Sequence, residues 1–227
     1  LPLWMSAVFA MTALVFSQII SSLRAATLCF DPVILLMVAS FVLARGFEIS
    51  GLARRIALLV LSKEASTRSV GRLLATLGLL TCALSLLLSN TAVTAILLPI
   101  GLEIIRATKG GDSRRFTLAI LLMITWASSV AVGFPIGTPP NLLAISYLRS
   151  EAGIEVGFAQ WILVGMPITA ALLFVCWGLL LLVCRKESGL NLQQVMLMSR
   201  DQYATLGALS CMERRALLSL GVALFLW

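Results

Sequence analysis

Ser89-Asn90-Thr91 stands within a run, residues 73–102, that carries no charged side chain, and Ser85 lies four residues before it. One amide and three hydroxyls in apolar surroundings can give neutral oxygens to a hard cation and N–H or O–H donors to a carboxylate. A second string, Gly133-Phe134-Pro135-Ile136-Gly137-Thr138-Pro139-Pro140-Asn141, interrupts the uncharged run 116–148. Three prolines and two glycines in nine residues cannot remain helical. Where a helix stops, its last carbonyls attract a cation; where one begins, its amides attract an anion. Ser85 and Ser89 are one helical turn apart, which places both hydroxyls on one face, and Thr91 sits like an N-cap on the arm that follows.

The absences narrow the chemistry further. The chain contains no histidine, and no Lys, Arg, Asp or Glu lies deep in either run; Glu103 is near the end of its arm. Histidine proton relays, imidazole-ligated zinc and Ser/His proteolysis are excluded. Proton coupling needs a titratable group, so sodium is the expected coupling ion, with no cofactor and no enzymatic activity.

The elements that must hold these residues are membrane helices. The 227 residues are 60% apolar and 12% charged, with a mean hydropathy of +1.03. Soluble domains carry about 45–50% apolar and about 25% charged residues. A cytosolic enzyme, a disordered chain and a nucleic-acid-binding module are thereby excluded. The net charge of +7 lies in short clusters between apolar runs, the pattern of membrane topology. Five cysteines without CxxC spacing read as packing residues, and Trp126, Trp161 and Trp177 as packing or interfacial ones.

A spanning helix needs about 20 apolar residues. Residues 1–23 fit, and Arg24 and Asp31 then bracket a short connection. Residues 32–44 are short for a span and run into Arg45-Gly46. Residues 51–63, with Arg54, Arg55 and Lys63 punctuating Leu52, Ile56, Leu59 and Val60, predict an amphipathic helix on the membrane surface. Residues 73–105 predict a re-entrant hairpin with its tip at Ser89-Asn90-Thr91, and 116–148 a discontinuous helix broken near the midplane. A full span over 158–184, a polar linker over 187–215 and the beginning of another span complete the order. Basic clusters at 45–72, 106–115 and 185–215 mark the cytoplasmic side. The expected grouping is a scaffold (1–72), a transport element (73–148), and a return span with linker and the start of a further span (149–227). Leu1 inside an apolar stretch and the short run ending at Trp227 suggest part of a longer membrane protein.

Plainer readings exist. A Ser-Asn-Thr string can be a hydrogen-bonding patch between helices, and a Gly/Pro cluster can be a surface turn. Treating both interruptions as surface turns, however, leaves spans of 11–16 residues and puts basic clusters on opposite faces. Helix breaks near mid-membrane are where secondary transporters bind substrates and coupling ions.

At SNTAVTAILLPI (89–100) followed by GTPPN (137–141), the chain resembles the first repeat of the divalent-anion/sodium symporters, and residues 30–62 are similar to the segment preceding the hairpin in that family. The resemblance implies an all-α multi-span fold of two inverted repeats, working as a homodimer in an inner or plasma membrane and carrying di- or tricarboxylates or sulfate. It also implies that Asn90 and Thr91 meet a substrate carboxylate, with Thr138 and Pro139 on the substrate side. Ser85, Ser89, Asn90 and the Gly137 carbonyl would hold a sodium ion. Family members commonly carry Ser where Thr138 stands; its extra methyl narrows the pocket. A second Ser-Asn-Thr tip and a second Pro-Pro-Asn break are absent, so these residues make half of a binding site. Competing readings are a non-transporting membrane scaffold or degenerate fragment, and a related carrier for arsenite or Na+/H+ exchange.

Overall fold

The computed structural model describes residues 2–30, 32–108, 113–184 and 190–226; Asp31, Lys109, Arg185 and Lys186 lie outside them. Every regular element among the described residues is helical. Residues 1–40 and 41–227 form separate compact units.

The first unit holds α1 (Leu3–Phe16), α2 (Ser22–Cys29) and the start of α3 (Pro32–Ser50). The single span expected over 1–23 is corrected. Helix α1 stops at Phe16, Gln18 takes a left-handed φ of 58°, and Ser21 caps α2 by accepting the Arg24 N–H at 3.2 Å. Ser17 and Ser21 supply hydroxyls that compete for backbone groups, and the Ser17 hydroxyl donates to the Leu14 carbonyl at 3.2 Å. The segment read as a connection is thus α2. Helix α3 continues through Arg45-Gly46 to Ser50, longer than its apolar run suggested.

The second unit holds α4 (Leu52–Leu61), α5 (Glu64–Thr67), α6 (Val70–Ser85), α7 (Asn90–Ala107), α8 (Arg114–Ser129), a 3-10 turn (Pro135–Gly137), α9 (Pro139–Ala152), α10 (Phe158–Cys184), α11 (Leu192–Thr205) and α12 (Cys211–Leu226). Serines start four of these: Ser69, Ser89 and Ser113 accept the N–H of Arg72, Ala92 and Phe116, each at 3.2 Å, and Ser210 accepts that of Glu213 at 3.1 Å. Helix α8 is the centre of the core. Its Phe116, Ala119, Ile120, Met123, Ile124 and Ala127 recur at three- and four-residue spacing and are all buried.

Close approaches give the directions. Gly78 of α6 faces the Met123 methyl of α8, and Gly101 of α7 faces Ile120 and Ile124. Leu173 and Leu181 of α10 lie against Gly78 and Gly71. So α6 and α8 run parallel, while α7 and α10 run back alongside them. Residues 22–50, 90–107 and 158–184 are each long and apolar enough to cross a membrane.

Two expectations change in this unit. The polar linker over 187–215 contains α11, whose fully buried Val195 and Ser199 help pack it on α4, α5 and α7. Helix α4 correspondingly turns its apolar face to protein, and its two arginines part company: Arg54 is exposed and Arg55 buried. Arg55 Nε donates to Glu213 at 2.6 Å, and its Nη atoms donate to the Gly207, Leu206 and Ala208 carbonyls at 2.8, 3.1 and 3.2 Å. It thereby satisfies the carbonyls that end α11 and grips the first turn of α12. The hydrogen bond from Arg55 holds the Glu213 carboxyl below the usual carboxylate range, assisted by the Ser210 N–H, and raises the guanidinium in turn.

Candidate helix-break binding site

The hairpin tip forms because α6 ends at Ser85 and α7 begins at Asn90. Ser89 caps α7, not Thr91: its hydroxyl accepts the Ala92 N–H at 3.2 Å and its carbonyl the Val93 N–H at 3.0 Å. The amides left unbonded at this end, among the described residues, are therefore those of Asn90 and Thr91. Ser89 and Thr91 are exposed, Asn90 half-buried and Ser85 fully buried. The one-face expectation for Ser85 and Ser89 does not hold, because the helix breaks between them. Ser85 instead donates to Asn90 Oδ1 at 3.1 Å, bridging the gap.

The second break follows α8. Asn141, buried, folds back so that its Nδ2 donates to the Val132 carbonyl at 3.2 Å and the Phe134 carbonyl at 2.9 Å. Trp161 Nε1 donates to the same Val132 carbonyl at 3.1 Å. These bonds satisfy the Val132 and Phe134 carbonyls, which the break leaves without helical partners, and Phe134 also accepts the Gly137 N–H at 3.2 Å. Thr138 opens α9 without using its hydroxyl as a cap, and Pro139 and Pro140 remove two N–H donors from that end.

The two breaks meet. A Cβ on Gly137 would stand 3.3 Å from each of three carbonyl oxygens, those of Ser85, Leu86 and Ala131. No N–H among the described residues bonds any of the three. A side chain here would crowd this ring of oxygens, which would have to give by a few tenths of an ångström. The tip therefore presents backbone carbonyls, the Asn90 amide oxygen and the Ser85 hydroxyl: uncharged hard donors suited to a cation of low charge density. The Asn90 and Thr91 amides at the start of α7 are donors for an anion, and Thr138 follows Gly137 directly in the chain.

Missed by the sequence reading are Leu86 and Ala131, which contribute only main-chain oxygen, and Thr94 and Ser128. The last two hydroxyls lie 3.3 Å apart and tie α7 to α8 just below the tip. The spacing Asn90–Thr94, one turn, was the signal for the first.

The level of the site follows from α10. Gly165 packs on Gly133, where an added Cβ would lie 3.1 Å from the Gly133 Cα. Gly165 is seven residues from one end of α10 and nineteen from the other, or about 10 Å and about 28 Å at 1.5 Å per residue. The second break thus lies beside the first two turns of α10, its Phe134 ring meeting that of Phe158 at 5.6 Å and its Gly133 backbone packing on Gly165.

Comparison with known proteins agrees with this architecture. A citrate transporter family model matches residues 1–227. The chain is 32% identical over 206 residues to the sodium-dependent dicarboxylate transporter SdcS of Staphylococcus saprophyticus, covering 87% of this chain and 39% of that one. It is 31% identical over 156 residues to SdcS of Staphylococcus aureus strain USA300, covering 65% of this chain and 30% of that one. The chain thus spans well under half the length of the curated relatives it matches. It is an integral, multi-pass membrane protein, and it belongs to the citrate transporter family.

Proposed function

We propose that this chain supplies one half of the binding site of a sodium-coupled symporter for divalent organic anions, dicarboxylates such as succinate or else citrate or sulfate. The observation that carries the reading is the convergence of the Ser85, Leu86 and Ala131 carbonyls on Gly137, beside the Asn90 side chain. Sodium sits among Ser85, Ser89, Asn90 and the Gly137 main chain. The anion lies against the Asn90 and Thr91 donors, with Thr138 and Pro139 lining its other side. No fixed cation stands in either uncharged run, so bound sodium neutralises the carboxylate. Dicarboxylate as cargo is supported by the names of the SdcS relatives.

In this reading residues 73–148 form the moving transport element, with 73–105 as the re-entrant hairpin. Residues 1–72 serve as scaffold, and 149–227 hold the return span, α11 and the start of a further element. The whole is the first of two inverted repeats in a homodimer. The test is succinate, citrate and sulfate uptake by the intact protein in proteoliposomes. Uptake driven by a sodium gradient and absent in choline is expected; equal uptake in choline rejects the coupling. Unchanged uptake and sodium binding in Asn90→Ala rejects the site and favours a scaffold.

A further inference from the structure

A groove of about 310 Å³ opens among α6, α8 and α10; Leu79 on its wall is six residues from Ser85, and Ala170 is five from Gly165. Its walls are Ala75, Leu79, Met123, Leu173, Phe174 and Trp177, so it is lined almost entirely by carbon. Leu79 and Phe174 stand at its rim, 61% and 67% exposed. The volume is at the low end of the ~300–1,000 Å³ range of small-ligand pockets.

One end of the groove is charged. On α6, Arg72, Ala75 and Leu79 follow at three- and four-residue spacing and share a face. Trp177 Nε1 donates to the carbonyl of Gly71 at 2.8 Å, which places its ring beside the start of α6. Cys184 at the end of α10 lies 3.8 Å from the Arg115 carbonyl, which brings the start of α8 to the same level. Arg68, Arg72, Arg114 and Arg115 are all exposed at this end, and none forms an ion pair among the described residues. The amino-terminal dipole ends of α6 and α8 add to their field. Glu64 is the one carboxylate on the adjoining α5.

We propose that this groove holds one acyl chain of a phospholipid whose anionic headgroup rests on Arg72 and its neighbouring arginines. An apolar slot that ends in unpaired arginines beside a tryptophan is complementary to a molecule with an acidic head and a hydrocarbon tail. A zwitterionic lipid fills the slot but leaves the arginines without a net opposite charge. The occupant is independent of the transported anion, whose site lies at the other end of α6.

The test uses the intact protein in nanodiscs of phosphatidylglycerol or phosphatidylcholine, with lipid retention read by native mass spectrometry. Phosphatidylglycerol is retained in preference, and Arg72→Gln lowers that preference about fivefold, the effect of one basic residue near an anionic surface. A photoreactive residue at the exposed position 79 labels phosphatidylglycerol. Equal retention of both lipids, an unchanged preference in Arg72→Gln, or labelling of a protein segment instead of lipid would each overturn the assignment. Should Arg72→Gln fail to fold, the position-79 label decides alone.

Discussion

Ser85 in the last turn of α6 donates its hydroxyl to Asn90 Oδ1 in the first turn of α7, 3.1 Å across a four-residue gap in the helix. The bond aims the amide oxygen back over the carbonyls that α6 leaves open. It also makes the two residues one unit, since neither is placed without the other. In a double-mutant cycle on sodium affinity, Ser85→Ala and Asn90→Ala are expected to be non-additive, with a coupling of about 0.5–3 kcal/mol. Additive losses would show that the two act separately.

Gly137→Ala tests the ring of carbonyls directly. The new methyl enters at 3.3 Å from three main-chain oxygens, none of which can swing away as a flexible side chain could. Sodium activation of uptake should weaken about tenfold or more, equivalent to ~1.4 kcal/mol, while the protein still reaches the membrane. Unchanged activation would place the ion elsewhere.

Asn141→Ala removes both side-chain bonds across the second break and leaves the Phe134 carbonyl with only the Gly137 N–H at 3.2 Å. Each lost hydrogen bond is worth about 0.5–1.5 kcal/mol net. At ~2–4 °C per kcal/mol for a chain of this size, the unfolding midpoint should fall by several degrees. The Val132 carbonyl keeps Trp161 as a donor, so Trp161→Phe added to Asn141→Ala should cost more than either change alone.

The α4–α12 pair is expected to behave as a buried ion pair. Arg55→Leu or Glu213→Leu alone should lower the unfolding midpoint more than both together, since each single change strands a charge. The acid limb follows from Glu213, whose pKa is held down by Arg55. A carboxyl depressed in the fold adds stability above its ordinary pKa of about 4.3 and loses it as pH falls through the depressed value. The midpoint difference between wild type and Glu213→Gln should stay flat from pH 9 to about 5 and close below about 4. A difference that widens on acidification contradicts this account.

How far the primary structure revealed these features depends on range. The 27-residue span α10 and both helix breaks were legible, because a long apolar run and a Gly/Pro cluster act locally. The identity of the cap was not: Ser89 and Thr91 are equally good cap residues, and only the backbone decides between them. Arg55 looked like another exposed charge of an amphipathic helix, because its partner lies 158 residues away. Helix α11 was hidden by its polar composition, its apolar contacts being few but completely covered. Within the site, Leu86 and Ala131 left no trace, since a carbonyl belongs to every residue. The inward stop of α1 at Phe16 turned on serines inside an otherwise apolar run.

The want of any ionised side chain along 73–102 and 116–148 has an electrical consequence. Carrying one elementary charge through the membrane potential is worth about 2.3 kcal/mol per 100 mV. A cleft wall with none of its own can shift across the bilayer empty without feeling that voltage. In the proposed symporter, only the surplus of bound cations over the acid would make these two runs respond to the potential, and any further charge moved with 73–148 would come from the ionised residues between them, Glu103 to Arg115.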